Sequence, residues 1–155
     1  MSVRLENVTR GDFKYNNCPI LFEDANANNR FALITKGKYS YRLAWHSDLI
    51  NPVILEINSN VVSIGVDQNF AIIDFNNNSI LFNLNLIYNF LNVFLFKDWI
   101  FIVTELEIIK VGKNIFQVLE EYALPDLFEE IFFKGDRIEV RSADNNIIEI
   151  GNLSN

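Results

Sequence analysis

The apolar residues of this chain come in short runs that turn-forming residues interrupt, and this pattern restricts the fold most. The runs are rich in Ile, Val and Phe, and Asn, Asp and Gly separate them. β-Branched and aromatic residues favour strands, whereas Asn, Asp and Gly favour the turns between strands. The sequence therefore predicts a mainly β protein of antiparallel, meandering sheets, with less than about one-fifth helix.

Several segments show this pattern clearly. Residues 30–35 and 39–43 predict a hairpin around Gly37, which can adopt a positive φ, and Tyr39 and Tyr41 would share one face. From residue 53 onward, imperfect repeat units lie near 62–84, 93–111 and 131–150, with Val66, Phe96 and Phe133 at corresponding positions. Small antiparallel modules repeat at such intervals. We expect one β-rich domain over residues 1–155.

Residues 112–117 and 122–131, Gly-Lys-Asn-Ile-Phe-Gln and Tyr-Ala-Leu-Pro-Asp-Leu-Phe-Glu-Glu-Ile, resemble blade sequences of bacterial β-propeller-type repeat proteins. The resemblance implies propeller-like sheets. A full propeller needs at least about four blades, and the chain has room for three or four. A partial propeller and a β-sandwich are therefore both open.

The charge of the chain bears on its partners. The net charge is −7, and residues 93–155 carry twelve acidic groups against six basic ones. Nucleic-acid binding depends on basic groups that neutralise phosphates, so nucleic acid is not an expected partner. An acidic surface instead suits a basic protein. We expect partner-binding residues in the acidic C-terminal half, namely Glu105, Glu107, Glu120, Glu121, Asp126, Glu129 and Glu130.

Candidate catalytic groups are few. His46 is the only histidine, with Asp48 close enough in sequence to orient its ring, and Cys18 is the only cysteine. Glu105 and Glu107 are two residues apart and would project from one face of a strand. No nucleophile, base and orienting group can be assembled from these residues, so we expect no catalytic residue, metal or cofactor. A hydrolase using His46 or Glu105 and Glu107 is the alternative.

The start of the chain bears on its location. Met1–Asn7 lacks the apolar segment of a secretory signal, and no apolar run is long enough to cross a membrane. We therefore expect a cytoplasmic protein without a membrane partner. Its small size, acidity and lack of catalytic groups resemble immunity proteins of contact-dependent and polymorphic toxin systems. That resemblance implies a module that binds and neutralises a toxin, for example a nuclease. A propeller-like scaffold or interaction protein is the alternative.

Overall fold

The computed structural model describes residues 1–24 and 28–152. The chain divides into two compact units, Met1–Ile87 and Tyr88–Asn155. The described residues form fifteen strands and one helix, which has only six residues. The mainly β fold predicted from the short apolar runs is therefore confirmed, whereas the single domain expected over 1–155 remains a prediction.

The first unit contains two four-stranded sheets. In sheet A the order is β1-β3-β4-β2, and β2 pairs in parallel with β4 while the other pairs are antiparallel. Its elements are β1 (Arg4–Val8), α1 (Arg10–Tyr15), β2 (Ile20–Phe22), β3 (Arg30–Lys36) and β4 (Tyr39–Trp45). The Thr9 hydroxyl begins α1 by accepting a hydrogen bond from the Asp12 backbone N–H at 3.0 Å.

Sheet B is an antiparallel meander of four consecutive strands. These are β5 (Val53–Glu56), β6 (Val61–Val66), β7 (Asn69–Asp74) and β8 (Ser79–Asn85). Every residue of β6 is buried, as are all residues of β7 except Asp74. Continuous apolar runs here reflect strands that are covered on both faces. Sheets A and B share one core, in which Tyr41, Trp45, Ile64 and Ile73 are buried together.

The second unit contains sheets C and D. Sheet C is a four-stranded meander, and sheet D is a three-stranded one. Their strands are β9 (Phe90–Phe96), β10 (Trp99–Thr104), β11 (Glu107–Gly112), β12 (Val118–Ala123), β13 (Phe128–Lys134), β14 (Arg137–Ser142) and β15 (Ile147–Asn152). The two sheets share a core built around Phe101 and Ile138. In that core the rings of Phe96 and Phe133 stack at 4.8 Å between centroids.

Each sheet contains a hairpin in which two residues separate the last paired residues. The closing pairs are Lys36 with Tyr39, Val66 with Asn69, Phe96 with Trp99, and Lys134 with Arg137. The first turn residue has a positive φ every time, at Gly37 (63°), Asp67 (50°), Lys97 (54°) and Gly135 (59°). Lys134 therefore occupies the hairpin position of Val66 and Phe96. The expected correspondence of Phe133 with these two residues is wrong by one position.

Candidate functional site

The seven acidic residues expected to bind a partner all lie in the second unit. They are distributed over the turn between β10 and β11, the strands β11 and β12, the corner that follows, and the start of β13. Glu120 and Glu121 precede the corner at residues 124–127, and Glu129 and Glu130 follow it. The residues do not share one surface, because neighbouring residues in a strand project to opposite faces.

Glu105 and Glu107 differ from the expected strand pair. Glu105 lies in the turn between β10 and β11, and Glu107 is the first residue of β11. The turn is fixed by the Thr104 hydroxyl, which donates to the Glu107 carbonyl at 2.8 Å, and by the Phe128 N–H, which donates to the Glu105 carbonyl at 2.7 Å. The expectation of two carboxylates on one strand face is therefore wrong, and these residues do not form an acid–base pair of that kind.

Glu107 and Glu121 do share a face. Glu107 pairs with Ala123, and Glu121 pairs with Ile109, so both carboxylates project from the same side of adjacent antiparallel strands. Burial raises the pKa of Glu107, and the nearby Glu121 carboxylate raises it further. Within the described part of the chain, neither carboxylate forms an ion pair. This is a like-charge pair that no cation among the described residues neutralises.

Glu120 projects to the opposite face and is already paired. It lies 3.5 Å from the ammonium of Lys110, which is itself buried and lies 4.5 Å from the centre of the Trp99 ring. The Tyr122 hydroxyl donates a hydrogen bond to Glu120, and this bond is the main reason that the pKa of Glu120 is lowered. The Glu120 carboxylate therefore helps to satisfy a buried cation of its own sheet.

The acidic residues around the corner also have partners. Arg141 donates from Nε to Glu129 at 2.9 Å and from a terminal nitrogen to Glu130 at 2.8 Å. A register shift between Phe128 and Glu130 accompanies this arrangement. Asp126 accepts a hydrogen bond from the Leu127 backbone N–H at 2.7 Å. Glu105 accepts a hydrogen bond from the Asn89 side-chain amide at 3.4 Å. Of the seven expected residues, Glu107 and Glu121 are the two whose carboxylates share a strand face without an ion pair in the described residues.

Apolar side chains are exposed beside this pair. β12 is an edge strand of sheet C, and Val118 pairs with Val111, which places it on the same face as Glu107 and Glu121. Val118 is 38% exposed. We call Glu107, Val118 and Glu121 the β12 surface. Ile115 and Leu119 are exposed near the start of the strand, where both side chains lie over Gly112.

The environment of His46 differs from the one expected. Its Nδ1 lies 2.8 Å from an Asp24 oxygen and 3.1 Å from an Asp67 oxygen, so these residues, and not Asp48, orient the ring. The Asp67 carboxylate is buried and also accepts the backbone N–H groups of His46 and Ser47 at 3.1 and 3.0 Å. The sequence did not reveal this cluster, because its three residues are far apart in the chain. Packing within the first unit brings them together.

The surroundings of Cys18 do not favour its thiolate form. Burial raises the pKa of its thiol, an effect that Arg42 only partly opposes, and a raised pKa makes a thiol a poor nucleophile. No hydrogen bond joins Cys18 to His46 in the residues that the structure describes. The same residues contain no group of three or more His, Cys, Asp or Glu side chains placed to hold a metal ion. Nor does any helix among them have the length and apolar character to span a membrane.

No protein-family model matches the chain, and no curated protein is significantly similar to it. Solved structures do share its fold. The computationally designed Ika4 protein aligns with a TM-score of 0.55 and 11% identity, over 87% of this chain and 92% of Ika4. Sqt1 of Saccharomyces cerevisiae aligns with a TM-score of 0.53 and 15% identity, over 84% of this chain and 44% of Sqt1. The designed Ika8 protein aligns with a TM-score of 0.52 and 11% identity, over 82% and 44%.

These similarities concern the fold. The chain spans less than half the length of the Sqt1 and Ika8 chains and nearly all of Ika4. At such low identity, the alignments carry no information about activity or partners. With four sheets, of which three are antiparallel throughout, the chain has a mainly β, propeller-like fold.

Proposed function

We propose that this protein is a non-catalytic interaction module, a propeller-like scaffold that binds a basic protein through its second unit. The observation that carries the proposal is the β12 surface, where two adjacent carboxylates lack a cationic partner in the described chain and lie beside an exposed valine. Propeller-type folds carry many turns on a framework of repeated sheets, which suits binding without chemistry.

Charge complementarity explains why the partner would be basic. Two carboxylates at a diagonal position in a sheet repel each other, and a lysine or arginine of a partner would relieve this repulsion. Burial raises the pKa of Glu107, which means that its ionised form is disfavoured in the free protein. A cation of the partner beside this carboxylate would reduce that free-energy cost. Val118 adds apolar area, whose burial contributes roughly 25 cal/mol per Å². The acidic groups would speed association, and apolar contacts would slow dissociation.

A more specific form of this proposal is an immunity protein that neutralises a toxin. The acidic excess of residues 93–155 supports it, because many toxins that cut nucleic acids have basic clefts that an acidic surface can cover. This form of the proposal predicts that a basic toxin domain is encoded beside the gene. The broader scaffold proposal does not require such a neighbour.

The test is an affinity purification from the source cells with quantitative mass spectrometry. The double variant Glu107→Gln/Glu121→Gln is compared with wild type and with Asp98→Asn/Glu149→Gln, a control in the same unit that removes the same charge from exposed positions. We expect a basic protein that wild type and control retain and that the β12 variant loses. Its association with the purified chain should be about tenfold slower for the β12 variant at low salt.

Two results would contradict the proposal. If both double variants slow association equally, net charge alone matters and the β12 surface is not the binding site. If no protein is retained by wild type above the background of an unrelated acidic protein, the interaction module itself is refuted. The immunity form fails separately if a purified toxin domain encoded beside the gene does not bind.

A further inference from the structure

A cavity of about 610 Å³ lies within the first unit. The turns between β3 and β4, between β5 and β6, and between β7 and β8 line it together with Met1. The hydrogen bond from the Phe75 N–H to the Asn60 carbonyl, 3.0 Å long, ties two of these regions together. The residues used below are Lys36, Lys38, Tyr39, Asn60, Phe75 and Asn76.

The side-chain charges of this lining are positive. Lys36 and Lys38 supply two ammonium groups, and the lining contains no aspartate or glutamate. Asp74 precedes the lining residues Phe75 and Asn76, but its carboxylate accepts hydrogen bonds from the backbone of Asn76 and Asn77. A cationic cavity in a chain of net charge −7 is a local departure from the overall balance and favours an anionic ligand.

Lys36 is the most unusual of these residues because it is buried. On β3 it continues the row of Ala32 and Ile34, both fully buried in the core, and its own side chain is only 9% exposed. Val66 and Phe96 occupy the matching hairpin position in sheets B and C. The fold therefore accepts an apolar residue at this position, whereas Lys36 buries its aliphatic stem and places its ammonium at the cavity.

The chain compensates this charge only in part. The Lys36 ammonium lies 3.7 Å from a Glu56 oxygen, which is an ion pair but is longer than a hydrogen bond, and the Glu56 side chain is half-exposed. In the described residues, Lys36 Nζ makes no hydrogen bond. No side-chain nitrogen or oxygen that is buried among the described residues lacks a hydrogen-bond partner, so the Lys36 ammonium is accessible to solvent. An accessible ammonium with free donors at a cavity wall is the arrangement expected of a group that binds an anion.

Apolar and amide groups define the rest of the ligand. The Tyr39 ring, above which the Lys38 ammonium lies at 5.0 Å, and the buried Phe75 ring provide apolar surface. Asn60 and Asn76 provide amide donors. We propose that this cavity binds a small organic anion that carries a carboxylate or phosphate beside an apolar ring or chain, with Lys36 and Lys38 as its cationic contacts.

The test is a titration of the isotope-labelled full chain followed by ¹H–¹⁵N NMR. Phenyl phosphate and benzoate are the anionic probes, and benzyl alcohol is the neutral control. We expect saturable shifts of the Gly37, Lys38, Asn60 and Asn76 amides with at least one anion below about 10 mM, and no saturation with the alcohol. Comparing the two anions shows whether phosphate or carboxylate is preferred.

Two variants and a matched control identify the cationic contacts. Lys36→Met should weaken anion binding about tenfold or more, since it removes a charge-assisted hydrogen bond. Lys38→Met, at an exposed position, should weaken it several-fold without affecting folding. Lys14→Met, which removes an exposed lysine of α1, should leave binding within about twofold.

The proposal is overturned if neither anion gives saturable shifts, if benzyl alcohol binds as well as the anions, or if Lys14→Met weakens binding as much as the cavity variants. A Lys36→Met chain that does not fold leaves Lys38→Met as the deciding variant. Because the probes are small molecules, this result is independent of whether a protein partner binds the β12 surface.

Discussion

The turn between β13 and β14 allows a prediction with a magnitude worked from backbone geometry. Gly135 has φ +59°, a left-handed conformation that costs an L-residue about 1–2 kcal/mol. A Cβ added at this glycine would meet no atom within 4 Å, so no clash contributes. Gly135→Ala also lowers the conformational entropy of the unfolded chain, which offsets about 0.4–1 kcal/mol of this loss. We expect a net loss of about 1 kcal/mol.

Gly11→Ala provides the matched control. Gly11 lies in α1 without a positive φ, and its added Cβ would meet only the Thr9 hydroxyl at an ordinary 3.8 Å. Alanine is the better helix former, so this variant should gain about 0.5–1 kcal/mol. The same chemical change should thus have opposite signs at the two positions.

Urea denaturation followed by circular dichroism measures both free energies of unfolding. A loss of about 1 kcal/mol corresponds to a melting temperature lower by about 2–4 °C for a chain of this size. If Gly135→Ala is neutral or stabilising, Gly135 does not require a left-handed conformation, and the shared turn geometry of the four hairpins is wrong at this position. Equal effects of the two variants would refute the backbone argument as a whole.

Two further predictions concern single side chains. Glu107→Gln should stabilise the protein at pH 7 by about 0.5 kcal/mol, because burial and Glu121 raise the folded-state pKa of Glu107. This cost is fully present above the folded-state pKa and disappears below the usual value of 4.5, so urea titrations at pH 7 and pH 3.5 should show the gain only at pH 7. His46→Ala should lower the free energy of unfolding by about 1 kcal/mol in the same assay, a limited loss because the buried Asp67 carboxylate keeps its two backbone donors. Partner binding should be unchanged, since His46 is not part of the β12 surface. Abolished biological activity in a folded His46→Ala variant would instead support the hydrolase alternative.

Local sequence chemistry predicted the turns well. Gly37 was expected to take a positive φ, and it does so between strands that end at Lys36 and begin at Tyr39. Asp67 and Lys97 adopt similar φ values without being glycine, so composition alone did not show that all four hairpins share one turn. The short helix α1 was also missed, although Thr9 three residues before Asp12 is a recognisable cap.

The candidate site was predicted less well than the fold. The charge count indicated an acidic second unit, but it could not separate paired from unpaired carboxylates. Glu120 is held by Lys110 and Tyr122, whereas its neighbour Glu121 faces the other way beside Glu107. A shift of one position in a strand exchanges the two faces, so small errors in strand boundaries change which charges meet.

The sequence by itself determined the class of this protein, because residue preferences and turn chemistry act over a few neighbouring residues. Short β-branched and aromatic runs separated by Asn, Asp and Gly can form little except strands and turns. The tertiary structure alone decided which distant groups meet. Strand register places Glu107 beside Glu121, and packing places Asp24 and Asp67 at His46. Turns from two sheets form the cavity that Lys36 lines. These contacts depend on strand pairing and packing between residues far apart in the chain, and local preferences do not specify them.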